Sequence, residues 1–132
     1  MLHHSLSHLL WWLPLAAACS SPTAPIAEGT WGGSEVSLTL TRSGGTLSYQ
    51  CGAGTIDSSW TLTRDGHLVA TGQHFFGGGP VPPQGHPPHP AQYIGQIRGA
   101  DLILTVTLLD LGQTLGPYRL IRGGPEVAEL CL

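Results

Sequence analysis

The sequence predicts an all-β fold, a small antiparallel up-and-down barrel of about seven to eight strands, with a β-sandwich as the alternative. Apolar and polar residues alternate with period two in repeated segments, and short turn-forming stretches separate these segments. No segment longer than about ten residues has the 3.6-residue apolar period of a helix. The 19 glycines and 11 prolines also favour turns and extended structure over helices.

The predicted strands each have one apolar face to bury. Their apolar positions are Val36, Leu38 and Leu40; Leu47, Tyr49 and Cys51; Ile56, Trp60 and Leu62; Tyr93, Gly95 and Ile97; Leu102, Leu104, Val106 and Leu108; and Tyr118 and Leu120. The alternation is clearest over residues 101–108. We expect Trp31 and Trp60 to be core aromatics.

The predicted connections are short. They are Ser43–Gly45, Gly52–Gly54, Asp65–Gly66, Gly99–Ala100 and Asp110–Gly112, where glycine supplies positive φ or aspartate bonds to its own backbone. Sequential strands joined by such turns predict a meander. Near the end of the chain, Pro125–Leu130 is predicted to form one turn of helix.

Residues 1–18 have the pattern of a cleaved export signal. A short polar lead precedes the apolar run Leu9–Leu15, which is shorter than the roughly 20 residues needed to span a membrane, and small residues follow. The segment Leu15–Cys19 resembles the lipobox of bacterial lipoproteins, which implies cleavage before Cys19 and lipid on its sulfur. Because histidines stand where such signals have lysine or arginine, a buried helix and a signal without lipid stay open as alternatives.

The predicted organisation is therefore a signal peptide at 1–18, a lipidated cysteine and flexible linker at 19–28, and one β-barrel domain at 29–132. The lipid on Cys19 would hold the protein on a membrane of the cell envelope. Ser20 stands where inner-membrane lipoproteins have aspartate, so we expect the outer membrane, facing the periplasm or the cell surface.

Two further cysteines remain, Cys51 and Cys131, an even pair in a chain predicted to enter an oxidising compartment. A disulfide between them is the simplest expectation. Two free buried thiols or a metal-binding pair are the alternatives.

Composition limits the size and the partners of the mature protein. About 110 residues follow the leader, enough for one domain, which we expect to be a monomer. The formal net charge is −3 and lysine is absent. Because no basic cluster is present to bind phosphates, we expect no nucleic-acid partner.

Three resemblances bear on the mature domain. Gly29-Thr30-Trp31 is similar to the opening of lipocalin-like and avidin-like barrels, in which the tryptophan plugs one end. Several segments between Gly29 and Leu132 together resemble an uncharacterised group of small bacterial secreted proteins and lipoproteins. Tyr49, Cys51 and Cys131 also resemble the lysozyme-inhibitor lipoproteins of Gram-negative bacteria, which implies a bridged small barrel and lysozyme inhibition.

The connection Phe75–Pro90 is longer than a barrel hairpin needs and is the candidate binding loop. Phe75, Phe76, His86 and His89 are its candidate contact residues. His74, His86 and His89 are also candidate ligands for zinc or copper, although solvated histidines explain them more simply. We therefore predict no cofactor.

No catalytic constellation is evident. Asp57, Asp65, Asp101 and Asp110 fit turns or strand edges, and no nucleophile motif surrounds Ser58 or Ser59. We predict a lipid-anchored binding or structural module of the cell envelope, not an enzyme. The alternatives are a lipocalin-like carrier of a small apolar ligand and a lysozyme-inhibitor-like lipoprotein. A filled barrel interior would favour the first hypothesis, whereas an open interior would favour the carrier.

Overall fold

A computed structural model describes residues 24–128 and Cys131, so the predicted leader, Cys19 and residues 20–23 lie outside the described part. Nine strands and no helix are found within it. The strands are β1 (Gly29–Gly32), β2 (Val36–Thr41), β3 (Gly44–Tyr49), β4 (Gly52–Ile56), β5 (Thr61–Leu62), β6 (His67–Phe76), β7 (His89–Arg98), β8 (Asp101–Leu108) and β9 (Gln113–Arg122). In residues 24–128 and 131 there is no helix long and apolar enough to cross a membrane.

The strands form a closed antiparallel barrel, which confirms the predicted architecture. The strand order is β4-β3-β2-β1-β9-β8-β7-β6, and pairing of β4 with β6 closes the ring of eight, while β5 pairs alongside β6 as an extra strand. Every pairing is antiparallel. The upper end of the barrel is defined as the end at which strands β3 and β6 terminate. The lower end is the one at which strand β2 terminates.

The interior of the barrel is filled by large side chains. Period-two alternation turns one face of each strand inward, and most of the inward residues are apolar. The largest fully buried side chains are Trp31, Val36, Leu38, Leu40, Leu47, Leu68, Tyr93, Leu102, Leu104, Val106, Leu108 and Leu120. Trp60, expected in the core, is half-buried and packs against this cluster from its edge.

The lower end is closed around Trp31. Its indole Nε1 donates a hydrogen bond of 2.9 Å to the carbonyl of the buried residue Ala27. The guanidinium of Arg122 lies 4.1 Å from the centre of the Trp31 ring and also donates to the carbonyls of Ile26 and Glu28. The segment 26–28 is thereby fixed across this end of the barrel.

One predicted turn is placed differently, and one predicted strand is interrupted. Gly52–Gly54 lies within β4, and the turn between β3 and β4 falls at Gln50 and Cys51. The continuous strand expected from Ile56 to Leu62 is interrupted after Ile56. The break occurs because the Asp57 carboxylate accepts hydrogen bonds from the backbone and hydroxyl of Ser59, which bends the chain.

Strand β6, among the longest of the described strands, was not predicted. Its inward positions include Ala70, Gly72 and His74, so the apolar alternation that marks the other strands is missing. The helical turn predicted at Pro125–Leu130 is wrong for its described part, 125–128. There the chain is irregular and lies against the sheet, with the Val127 amide donating to the Ser37 hydroxyl at 3.2 Å.

Candidate binding site at the upper end of the barrel

The longest connection of the barrel lies at the upper end. The predicted loop Phe75–Pro90 is shorter than expected, because Phe75 and Phe76 end β6 and His89 and Pro90 begin β7. The connection itself is residues 77–88. It lies beside the β3–β4 turn and the carboxy-terminal tail that follows β9.

A disulfide fastens the tail to this end. Cys51, in the β3–β4 turn, is bonded to Cys131, with their Cα atoms 5.1 Å apart, which confirms the predicted pair. Gly78 passes directly over the bridge with a φ of +82°, and a Cβ there would stand 2.9 Å from the Cys51 sulfur. Glycine is therefore required at this point by both the backbone angle and the close approach.

A cleft with a volume of about 580 Å³ opens between the loop, the tail and the outer face of the barrel. Ser48, Ala53 and Phe75 form its floor on strands β3, β4 and β6. The loop contributes Gly77–Gly79, Val81 and His86, and the tail contributes Val127 and Cys131. The lining combines apolar and aromatic side chains with a nearly equal share of polar surface.

Next to the cleft, five aromatic rings meet inside the barrel mouth: Tyr49, His74, Phe76, His89 and Tyr118, here called the mouth cluster. His74 lies with its ring centre 4.8 Å from that of Tyr49 and 4.8 Å from that of Phe76. The Tyr49 and Tyr118 centres are 6.1 Å apart, and those of Phe76 and His89 are 5.2 Å apart. All these contacts are edge-on, the arrangement that aromatic quadrupoles favour.

Burial shifts the titration of this cluster. It lowers the pKa of His74, and the neighbouring His89 lowers it further, so His74 is neutral at pH 7. Burial also raises the pKa of Tyr49, with additional contributions from Tyr93 and Tyr118. The Tyr49 phenol and the His74 imidazole are therefore both uncharged at pH 7.

The structure does not bring the three candidate metal ligands together at one point. His74 is buried in the mouth, whereas His86 lines the cleft. His89 lies opposite His74 in the strand pairing, but its Nδ1 is 2.7 Å from the Asp110 carboxylate. Within residues 24–128 and 131, no group of three histidine, cysteine or acidic side chains is arranged to hold a metal ion.

The other carboxylates stabilise turns and strand pairs. Asp57 accepts hydrogen bonds from Ser59 and from the Thr71 hydroxyl, and these bonds lower its pKa. Asp65 accepts from the Thr63 hydroxyl in the turn before β6. Asp101 pairs with Arg119 across β8 and β9 at 3.3 Å.

Sequence reasoning missed the part of the site that lies far away in the chain. Val127 reaches the cleft from the tail, and Glu35, Leu115 and Tyr118 reach the mouth from β9 and from the connection before β2. The only sequence signal for them was the spacing between Cys51 and Cys131, which tied the tail to the β3–β4 turn without giving its path.

The fold and the site together define a small closed β-barrel with an open cleft at one end. Comparisons with protein-family models, with curated proteins and with solved structures found no match to this chain.

Proposed function

We propose that this chain is a lipid-anchored binding module of the cell envelope, without catalytic activity, that engages its partner through the cleft. The observation that carries the proposal is the cleft itself, about 580 Å³ between a twelve-residue loop and a disulfide-held tail. This volume lies within the range of about 300–1,000 Å³ typical of ligand sites.

The envelope address is supported by two independent features. The segment Leu15–Cys19 has the lipobox pattern, and lipid on Cys19 would anchor the protein stably because each buried CH₂ contributes about 0.8 kcal/mol. The bond between Cys51 and Cys131 fits an oxidising compartment, since structural disulfides are rare in the cytosol.

Packing favours binding at the surface over carriage of a ligand inside the barrel. The interior positions of the strands are occupied by fully buried tryptophan, tyrosine and leucine side chains. An internal ligand would have to displace this core. The cleft, in contrast, is already formed.

The lining of the cleft suits a short segment of a protein or a glycan chain. Phe75, Val81 and Val127 offer apolar contact, Ser48 and His86 offer polar groups, and the glycines of the loop leave their backbone accessible. A partner lying along the cleft would touch the barrel, the loop and the tail together.

Site-specific photo-crosslinking in intact envelopes tests the site. A crosslinker at Val81, which is exposed in the cleft, should give a discrete adduct with one partner, whereas one at Ile26, exposed at the opposite end, should not. The partner identified by mass spectrometry should bind the purified protein and lose affinity for Val81→Asp but not for Ile26→Asp. Equal adducts at both positions would contradict the proposal.

The anchor has its own test. Cys19→Ser should move the protein from the membrane fraction to the soluble fraction and abolish labelling with radioactive palmitate. A double Cys51→Ser, Cys131→Ser variant is the matched control and should stay membrane-bound and labelled. Unchanged partitioning of Cys19→Ser would overturn the lipoprotein assignment.

A lysozyme assay distinguishes the proposed function from the remaining alternative, a lysozyme-inhibitor-like lipoprotein. A partner in the envelope predicts no inhibition of lysozyme by the purified protein. Inhibition that disappears in Val81→Asp would instead assign the cleft to lysozyme.

A further inference from the structure

The lower half of the barrel carries every arginine of the chain, and the chain has no lysine. The arginines come from the β2–β3 turn, the turn before β6, the end of β7 and the lower half of β9. All five are exposed: Arg42, Arg64, Arg98, Arg119 and Arg122. Because they are scattered along the sequence, no basic cluster is visible there, and closure of the barrel is what brings them to one end.

The two halves of the barrel differ in net charge. The carboxylates of the lower half are Glu28, Asp57, Asp65 and Asp101. With five arginines against these four, the lower half has one net positive charge when the histidines are neutral. The described residues of the upper half include no arginine, and their carboxylates are Glu35, Asp110 and Glu126. The molecule therefore has a positive lower end and a negative upper end.

Two of the arginines have no partner among the described side chains. Arg42 and Arg119 each pair with a carboxylate, at 3.4 and 3.3 Å, and Arg122 donates to two backbone carbonyls. Within residues 24–128 and 131, Arg64 and Arg98 form no ion pair. A guanidinium presents its N–H donors in a planar fork that matches the oxygens of a phosphate, so both side chains are suited to bind phosphate groups.

Exposed apolar side chains lie among the arginines. Ile26 is 60% exposed and Ile121 is 49% exposed. Trp60 is half-buried, and its Nε1 donates to the Thr41 carbonyl at 2.7 Å, which holds the indole at this end. Tryptophan is enriched at the interface between membrane and water, where its ring meets the lipid and its N–H stays hydrated or bonded. Cations together with exposed apolar groups suit the interfacial region of a bilayer.

The predicted lipid anchor joins the barrel at this same end. The segment 26–28 is fixed across the lower end by its hydrogen bonds to Trp31 and Arg122. Seven positions separate Cys19 from Ile26, so even a fully extended chain spans at most about 25 Å between them. A tether this short raises the effective concentration of the lower end at the membrane, and a weak attraction is then sufficient for docking.

We propose that the lower end docks on a membrane surface that carries anionic phospholipids. The arginines contact the lipid phosphates, and Trp60 and Ile26 enter the interface. The inference rests on the proposed lipid anchor at Cys19. Strand β6 runs from the lower to the upper end with ten residues, which at a usual barrel tilt gives a height of about 25 Å. The cleft therefore faces away from the bilayer, and the negative upper half lies beyond the Debye length of about 8 Å.

Quenching by a spin-labelled lipid tests the docking and its direction. The lipidated protein is reconstituted into phosphatidylcholine vesicles that contain a headgroup nitroxide, with or without phosphatidylglycerol. A coumarin amino acid at Ala100, in the β7–β8 turn, should be quenched more strongly in the anionic vesicles, and high salt should remove the difference. The matched probe at Leu111, in the β8–β9 turn at the upper end, should not respond. Equal quenching at Ala100 in both vesicles would overturn the proposal and leave the lower end to a partner other than lipid.

Two double variants separate the position of the charge from its sum. Arg64→Gln with Arg98→Gln should weaken docking about fivefold for each arginine, about 25-fold together, and reduce the Ala100 quenching to its level in phosphatidylcholine alone. Gln84→Glu with Gln113→Glu changes the net charge equally at the upper end and should leave docking unchanged. All four positions are exposed, so the fold is retained. Equal loss of docking in both double variants would refute the assignment to the lower end.

Flotation distinguishes failure of the docking from failure of the anchor. Protein that floats with phosphatidylcholine vesicles but shows no added quenching in anionic ones has the anchor and does not dock. Protein that does not float with phosphatidylcholine vesicles lacks the anchor, which overturns the lipid-anchored function and this inference with it. Val81→Asp, in the cleft, should leave the Ala100 quenching unchanged, so the function of the cleft is tested separately.

Discussion

The same conservative substitution at two buried tyrosines should change stability in opposite directions. The hydroxyl of Tyr49 is buried without a partner among the described residues, whereas that of Tyr93 donates to the Gln73 carbonyl at 3.1 Å. An unpaired buried hydroxyl costs about 1–3 kcal/mol, and a neutral hydrogen bond contributes about 1 kcal/mol. We therefore expect Tyr49→Phe to raise the free energy of unfolding by about 1 kcal/mol and Tyr93→Phe to lower it by about the same amount.

The two variants should thus differ by about 2 kcal/mol, which for a domain of this size corresponds to about 8–16 °C in Tm. Urea unfolding followed by tryptophan fluorescence measures the difference. Equal m-values are required for the comparison. If Tyr49→Phe lost as much stability as Tyr93→Phe, the Tyr49 hydroxyl would have a partner in the folded protein and the reasoning would fail.

Three other perturbations give measurable outcomes. Replacing Cys51 and Cys131 by serine should lower the free energy of unfolding by about 4 kcal/mol, because the bridge spans a sequence separation of 80 residues; an unchanged urea midpoint would contradict this. Gly54→Ala should cost about 1–3 kcal/mol, since the new Cβ would stand 2.9 Å from the Tyr93 hydroxyl, and combining it with Tyr93→Phe should cost less than the sum of the two single variants. Strict additivity in urea unfolding would rule out that contact. Because the pKa of His74 is lowered in the folded protein, its contribution to the free energy of unfolding is fully present above about pH 6.5. This contribution is lost as pH falls below that value, because the unfolded chain takes up the proton first. His74→Gln should flatten this part of the pH profile of Tm, and an unaltered profile would show that His74 is not its source.

Much of the barrel followed from local pattern. Over β8, each inward residue is apolar and each turn on either side contains glycine, so both the strand and its bounds were predictable. Strand β6 could not be predicted from the sequence pattern, because its inward face includes Ala70, Gly72 and His74. These small and polar side chains are buried by the neighbouring strands β4 and β7, and such neighbours are not visible in a local window.

The candidate site was predictable only in part. The loop after Phe76 was identified by its length and its prolines, and His86 and Phe75 do line the cleft. The mouth cluster could not be assembled from the sequence. Tyr49 and Tyr118 are 69 positions apart in the numbering, and only closure of the ring brings their rings within 6.1 Å.

The sequence by itself determined the all-β class, the alternating faces and most of the turns, because these depend on residue type and on neighbours within a few positions. The pairing of Cys51 with Cys131 was the simplest expectation from the even number of cysteines left after Cys19. The tertiary structure decided which strand ends lie together at the upper end of the barrel and how the tail crosses the sheet. It also decided which polar atoms have no hydrogen-bond partner among the described residues. Those features depend on register and on ring closure, which bring distant residues together. Burial then makes the absence of a hydrogen-bond partner for the Tyr49 hydroxyl among the described residues costly.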